Sequence, residues 1–279
     1  MYESHWGLSE SPFASRLSTK WFHESPVHDE ALARLFYLIE QRRGFGLLSG
    51  SSGTGKTLTL RHLEGQIRRS QRRVASVDTL GMDGHELLWQ LSVSLGLTPR
   101  EGESRWNLWR RLADHLKALQ LARVQTVFLF DHLERADTTC HSMIERLFSA
   151  ANSSGTLTTF IASVRSSDVA SLSSFLSDLS DLRVELANLQ ISETEAFVRS
   201  QLSRAGCPHE AYSNDAVIRI HSHSRGVPRL ISRLCELSLI AAMAEGSHEI
   251  DADLIDSVAD GLVSSLEQTS EPVAHHEYV

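Results

Sequence analysis

The stretch Gly50-Ser51-Ser52-Gly53-Thr54-Gly55-Lys56-Thr57 constrains this chain more than any other. It fits G-x-x-x-x-G-K-[ST], the Walker A or phosphate-binding loop pattern, and such a loop works only between a buried strand and the start of a helix. The flanks supply both: Arg43 to Ser49 reads as a short buried strand and Leu58 to Ile67 as a helix. Glycines at 50, 53 and 55 let the backbone turn tightly enough for consecutive amide hydrogens to face phosphate oxygens. The positive N-terminal end of the following helix adds to that field. In such a loop Lys56 reaches the β- and γ-phosphates of ATP and Thr57 ligates Mg2+. Ser51, Ser52, Thr54 and Leu58 complete the cofactor-binding stretch.

A loop of this kind needs a second acidic group to hold the magnesium. Thr126-Val127-Phe128-Leu129-Phe130-Asp131 is a continuous apolar run ending in a carboxylate, the pattern of a central parallel strand buried on both faces. Asp131 is therefore the second metal residue, beside Thr57. Hydrolysis also needs a group that orients and deprotonates the attacking water. The position after Asp131, often glutamate in such ATPases, is His132 here, and Glu134 lies three residues beyond Asp131, within reach if the turn is tight. Lys56, Asp131 and Glu134 form the catalytic set on this reading, with His132 as the other candidate for the water.

The remaining pattern gives the fold class. Residues 1–25 mix Trp6, Phe13, Trp21 and Phe22 with Ser, Pro and His, and read as an irregular arm packed on the domain. A helical period from Pro26 ends by Gly44; Val74 to Val77, Leu157 to Ser163 and Val184 to Leu186 read as further strands. Helices are expected over Gly84 to Leu95, over Arg105 to Leu121 with Trp106, Trp109, Leu112, Leu116 and Leu119 on one face, and over Thr138 to Ala151. Strands alternating with helices predict an α/β P-loop fold over residues 26–187, a parallel sheet covered on both faces. From Ser192 the chain reads as helices only: 192–205, Asp215 to His223, Val227 to Ala244 and Asp251 to Leu262, the first with Ser192 and Glu195 as a capping box. Residues 188–263 form a small all-helical lid domain on this reading, and residues 264–279 a disordered tail.

Composition narrows the partners. With 41% hydrophobic and 22% charged residues the chain can bury a core, and a formal charge of −8 argues against a coat for nucleic acid. Arg68, Arg69, Arg72 and Arg73 could grip DNA phosphates, but a solvated helix end that complements its dipole is the simpler reading. Lysines are confined to Lys20, Lys56 and Lys117, so one of three falls on the phosphate position. Cys140, Cys207 and Cys235 are odd in number and widely spaced, which fits free thiols in a reducing cytoplasm. No export signal and no membrane span are read, so a cytoplasmic location is expected. The histidines show no tight metal-binding spacing.

As a set, these residues resemble the AAA+ ATPases of the general secretion pathway protein A (ExeA-like) family, from residue 1 to about 263. The resemblance is carried by Met1-Tyr2, Trp6-Gly7-Leu8, Pro12-Phe13, Phe22, His28 with Glu30-Ala31-Leu32, Gly44-Phe45, the phosphate loop and Leu95-Gly96-Leu97. It continues in Ser224-Arg225-Gly226-Val227-Pro228-Arg229-Leu230-Ile231, then Leu234-Cys235 and Ala241 to Gly246. It implies a five-stranded core with a helical lid, ATP between them, and Arg229 as a sensor-2 arginine that joins the catalytic and cofactor-binding sets. Ser163 or Arg165 would fall in the sensor-1 region, and Arg183, before the last strand, is a candidate arginine finger toward a neighbouring subunit.

Departures from the family pattern are Ser51 for its usual Glu, Leu58 for its Thr, and His132 for the catalytic Glu. The family's secretion members continue into a membrane span and a peptidoglycan-binding region. Neither is read in this sequence, and a direct role as the secretion ATPase is not expected. The expectation is an ATP-binding AAA+ ATPase with slow or partner-stimulated hydrolysis that couples nucleotide state to lid motion and an unidentified protein partner, with homo-oligomers allowed for. The alternatives are a non-hydrolytic nucleotide-dependent switch or scaffold and a DNA-associated ATPase like the transposition helpers, nucleic acid not being favoured.

Overall fold

The computed structural model describes residues 2–14, 18–152, 157–172, 178 and 180–268. The chain divides into two compact units, Leu17–Ala187 and a second made of Met1–Arg16 with Asn188–Val279. It opens with a short helix, α1 (Tyr2–His5), where an irregular arm is expected from the sequence. No helix among the described residues is long and apolar enough to cross a membrane.

In the Leu17–Ala187 unit the order is α2 (Pro26–Glu40), β1 (Phe45–Gly50), α3 (Lys56–Arg69), β2 (Arg73–Asp78), α4 (Gly84–Ser94), α5 (Arg105–Leu121), β3 (Thr126–Asp131), α6 (Thr138–Asn152), β4 (Thr158–Arg165) and β5 (Leu182–Leu186). The five strands pair in the order β2-β3-β4-β1-β5, all parallel. Successive residues of a strand face opposite sides, and both sides are buried. Phe128 and Phe130 join Phe45, Leu47, Phe160 and Ala162 in a core closed by α4, α5 and α6. Val127 and Leu129 join Leu48, Ile161 and Val184 in a second core closed by α2 and α3. That two-sided burial is why the strand before Asp131 reads as an unbroken apolar run.

The local signals mostly act where they stand. Pro26 occupies the first turn of α2 behind Ser25 as N-cap. Asp83 and Glu86 form a capping box on α4. On α5 the buried residues are Leu108 and Leu112, whereas Trp106 is 61% exposed under the Arg110 guanidinium. The predicted stripe holds from Trp109 onward, with Leu112 in the core and Trp109 and Leu116 packed against it, Trp109 with Arg146 at 4.0 Å over its ring; Trp106 falls off it, and Leu108 takes the buried place in the first turn.

The second unit carries α7 (Ile191–Arg204), α8 (Asn214–Ser224), α9 (Pro228–Glu245) and α10 (Ala252–Gln268). The cap of α7 is Gln190, whose N–H donates to Glu193 at 2.7 Å, so the expected Ser192–Glu195 box is displaced by two residues. Residues 264–268, expected in the tail, are the last turns of α10, and the rest of that tail lies outside the described residues. The N-terminal residues belong to this unit through specific bonds. Trp6 is fully buried and donates from Nε1 to the Leu239 carbonyl at 3.0 Å, and Ser9 donates from N and Oγ to the Ala205 carbonyl. Cys140 and Cys235 are buried free thiols; burial pushes Cys140 up to about 12 and Cys235 further, which leaves both without nucleophilic character.

Candidate nucleotide site

The phosphate loop leaves β1 at Gly50, the last residue of that strand, and enters α3 at Lys56. Gly53 and Gly55 hold φ of +90° and +100°, values that side chains other than glycine rarely adopt. Thr54 is buried and its Oγ1 donates to the Ser51 carbonyl at 3.0 Å, which closes the loop on itself. The Lys56 ammonium donates to the Gly50 and Ser51 carbonyls, each at 2.8 Å, and so lies across the loop rather than out in solvent. Thr57 stands in the first turn of α3, and Leu58 packs against the core on the α2–α3 side. The helix N-terminus and the turn of glycines together give the amide-lined, positively polarised concavity that phosphates take.

The C-terminal ends of β3 and β4 carry the acidic half. Asp131 ends β3, and its Oδ1 accepts from the Ser163 hydroxyl in a short hydrogen bond and from the His132 N–H at 3.2 Å. Ser163 Oγ itself accepts from that N–H at 3.1 Å. His132 sits at φ +55°, a left-handed conformation that costs a non-glycine residue of order 1 kcal/mol. Those backbone bonds and the turn into the 3-10 segment Leu133–Arg135 hold it there.

Sheet order then separates the two candidates for the water. The His132 ring donates from Nδ1 to Asp78 Oδ1 at 2.9 Å, and Asp78 ends β2. In the order β2-β3-β4-β1, β2 lies on the side of β3 away from the phosphate loop. Glu134 goes the other way. Its side chain is 2% exposed, its Oε1 meets Arg165 Nε at 3.3 Å, and its buried Oε2 has no hydrogen-bond partner among the described residues. Arg165 ends β4 and registers with Gly50, the first glycine of the loop. It is also shared with Asp168 at 3.5 Å.

Oxygen donors suit magnesium, which takes one or two protein oxygens and completes its shell with water and phosphate oxygens. Thr57 and Asp131 are of that type, each at the C-terminal edge of the sheet, so the residues present fit the ion.

Other predicted residues fall elsewhere. Arg183 lies inside β5, exposed on the edge strand and in register with Leu47, not before the strand. Its place toward the N-terminal end of that strand removes the reason for reading it as a finger. Arg229 is the second residue of α9, after Val227 and Pro228, in the other unit. Its helix start is fixed locally: Gly226 has φ +72° and a side chain there would meet the Leu189 carbonyl oxygen at 2.0 Å, while Leu189 N–H donates to the Gly226 carbonyl at 2.9 Å. Of the four arginines at and just after the end of α3, Arg68 pairs with Glu64 and Arg72 with Glu40 and Gln125. Sequence reasoning missed as site residues Asp78, visible only once β2 and β3 are in register, and His28, which reaches the loop from α2 with its other ring nitrogen held by Ser25.

Comparison with known proteins agrees with this geometry. Residues 39–166 match the model of an AAA domain. General secretion pathway protein A of Aeromonas hydrophila is 30% identical over 254 residues, which cover 90% of this chain and 46% of that protein. The chain thus spans about half the length of that relative. Among solved structures, Cdc6p of Pyrobaculum aerophilum superposes with a TM-score of 0.70 at 18% identity, over 97% of this chain and 74% of that one. The ORC1 protein of Aeropyrum pernix, solved in complex with DNA, gives 0.68 at 18% identity over 92% and 72%. At that identity the structures speak for the fold alone.

Proposed function

We propose that this chain, which belongs to the AAA+ P-loop ATPases of the general secretion pathway protein A kind, binds ATP with Mg2+ at Gly50–Thr57 and hydrolyses it slowly, with Glu134 as the group that activates water. The observation that carries the reading is the pairing of a self-closed glycine loop at the end of β1 with a buried glutamate that follows β3 and meets Arg165, the β4 residue in register with the loop's first glycine. Loop amides and Lys56 bind the β- and γ-phosphates, and Thr57 and Asp131 hold the magnesium. The ion neutralises developing phosphate charge when bound. Ser163 keeps the Asp131 carboxylate oriented, and Arg165 is positioned to answer the terminal phosphate in the sensor-1 region. Arg229 acts as the sensor-2 arginine, coupling nucleotide state to the helical unit and through it to an unidentified protein partner. Homo-oligomerisation and a cytoplasmic setting belong to the same reading.

Binding of a fluorescent ATP analogue with magnesium tests it. The parent binds, and Lys56→Ala weakens binding by about a hundredfold or more. Equal binding by both proteins overturns the proposal. A second reading, a non-hydrolytic switch, is favoured by one observation: the residue after Asp131 is a histidine held to Asp78. A DNA-associated role ranks below both, because Arg68 and Arg72 are occupied by neighbouring side chains.

A further inference from the structure

The peptide between Thr54 and Gly55 is where the loop passes into α3, and its orientation is held from outside the loop. In a trans peptide the N–H of one residue points opposite to the carbonyl of the residue before it. Whatever fixes the Thr54 carbonyl therefore also aims the Gly55 amide hydrogen. That carbonyl accepts from His28 Nε2 at 3.1 Å. A carbonyl oxygen only accepts, so Nε2 carries a ring proton, and Nδ1, 2.7 Å from Ser25 Oγ, is held at the other edge of the ring.

The ring has little freedom to do otherwise. His28 is 6% exposed and Ser25 wholly buried. Phe22 meets the imidazole edge-on at 5.4 Å and stacks on His62 of α3 at 4.7 Å. A side chain at position 55 would stand 2.8 Å from Nε2, so the bond has room only because that residue is glycine.

We propose that His28 is a positioning residue for nucleotide binding. By holding the Thr54 carbonyl on the α2 side, it turns the Gly55 N–H to the face of the loop that takes phosphate. His28 touches no phosphate itself and acts through the peptide plane. The inference rests on the nucleotide reading of the loop, and it adds α2 to the parts that set affinity.

The experiment compares the parent with His28→Ala and His28→Gln, whose side-chain amide restores a donor. Two readouts are taken: affinity for a fluorescent ADP or ATP analogue, and exchange of the Gly55 and Lys56 amides in protein without nucleotide. Expected are a tenfold or greater loss of affinity and tenfold faster exchange in His28→Ala, with His28→Gln within about threefold of the parent in both. Parent-like behaviour of His28→Ala overturns the inference, as does a His28→Gln as impaired as His28→Ala, since a role as mere filler predicts no rescue by a donor. If the parent binds no nucleotide, the function proposed above fails while the exchange data still decide whether His28 sets the loop.

Discussion

Two carboxylate-bearing corners flank the end of β3, and they differ in what faces them. On the β2 side His132 is tied to Asp78, partly open to solvent and remote in strand order from the phosphate loop. On the β4 side Glu134 is buried, with one oxygen unpartnered among the described residues, against an arginine that registers with the loop's first glycine. Sequence proximity to Asp131 favours His132; strand order favours Glu134.

The comparison can be broken at the residue both corners share. Asp131→Asn removes the charge proposed to hold magnesium while keeping an oxygen that can accept from Ser163, and magnesium-dependent turnover should fall by about a hundredfold with nucleotide affinity in the absence of magnesium kept within a few-fold; titrating magnesium against turnover checks it. Loss of metal-independent affinity would mean that Asp131 serves the loop instead. A smaller effect sharpens the picture: Ser163→Ala leaves the carboxylate without its hydroxyl donor, and turnover should drop by about three- to tenfold, read as a lower kcat at unchanged KM.

The smallest effect lies beyond both corners, at the cap of α6. Hydrogen bonds from the Thr139 hydroxyl and then the Cys140 N–H hold the Asp137 carboxyl below the usual carboxylate range. A depressed folded value means a contribution present above the unfolded pKa near 4 and lost as pH falls through the folded value. Melting temperature measured from pH 6 down to pH 3 should therefore fall less steeply in Asp137→Asn than in the parent. Parallel curves would remove Asp137 from the account.

Much of this was legible in the sequence. The loop, all five strands and the helical second half follow from glycine spacing and apolar period, because both are local properties. The alternation of Val127 and Leu129 with Phe128 and Phe130 fills two cores, which is why that strand reads without a break. What stayed hidden depends on neighbours. Strand order is a tertiary fact, so nothing in the chain marks Asp78 as the partner of His132. Near Gln190 two overlapping patterns end in Glu193 and Glu195, and the helix starts at the first, where the Gln190 N–H donates to Glu193. On α5 the stripe through Trp109, Leu112 and Leu116 is legible, but in the first turn the core takes Leu108 and leaves Trp106 exposed. Arg183 reads as a loop residue when the strand is begun at Val184, whereas the alternation of Leu182, Val184 and Leu186 extends the edge strand back to Leu182 and leaves Arg183 exposed.

The central claim is decided by single-turnover hydrolysis of ATP in the parent, Glu134→Gln and His132→Ala, each loaded to the same occupancy. Loss of the group that deprotonates water costs about 10² to 10⁴, so Glu134→Gln should fall by at least a hundredfold while His132→Ala stays within about threefold. The reverse order, or no turnover in the parent above that of Lys56→Ala, would contradict it.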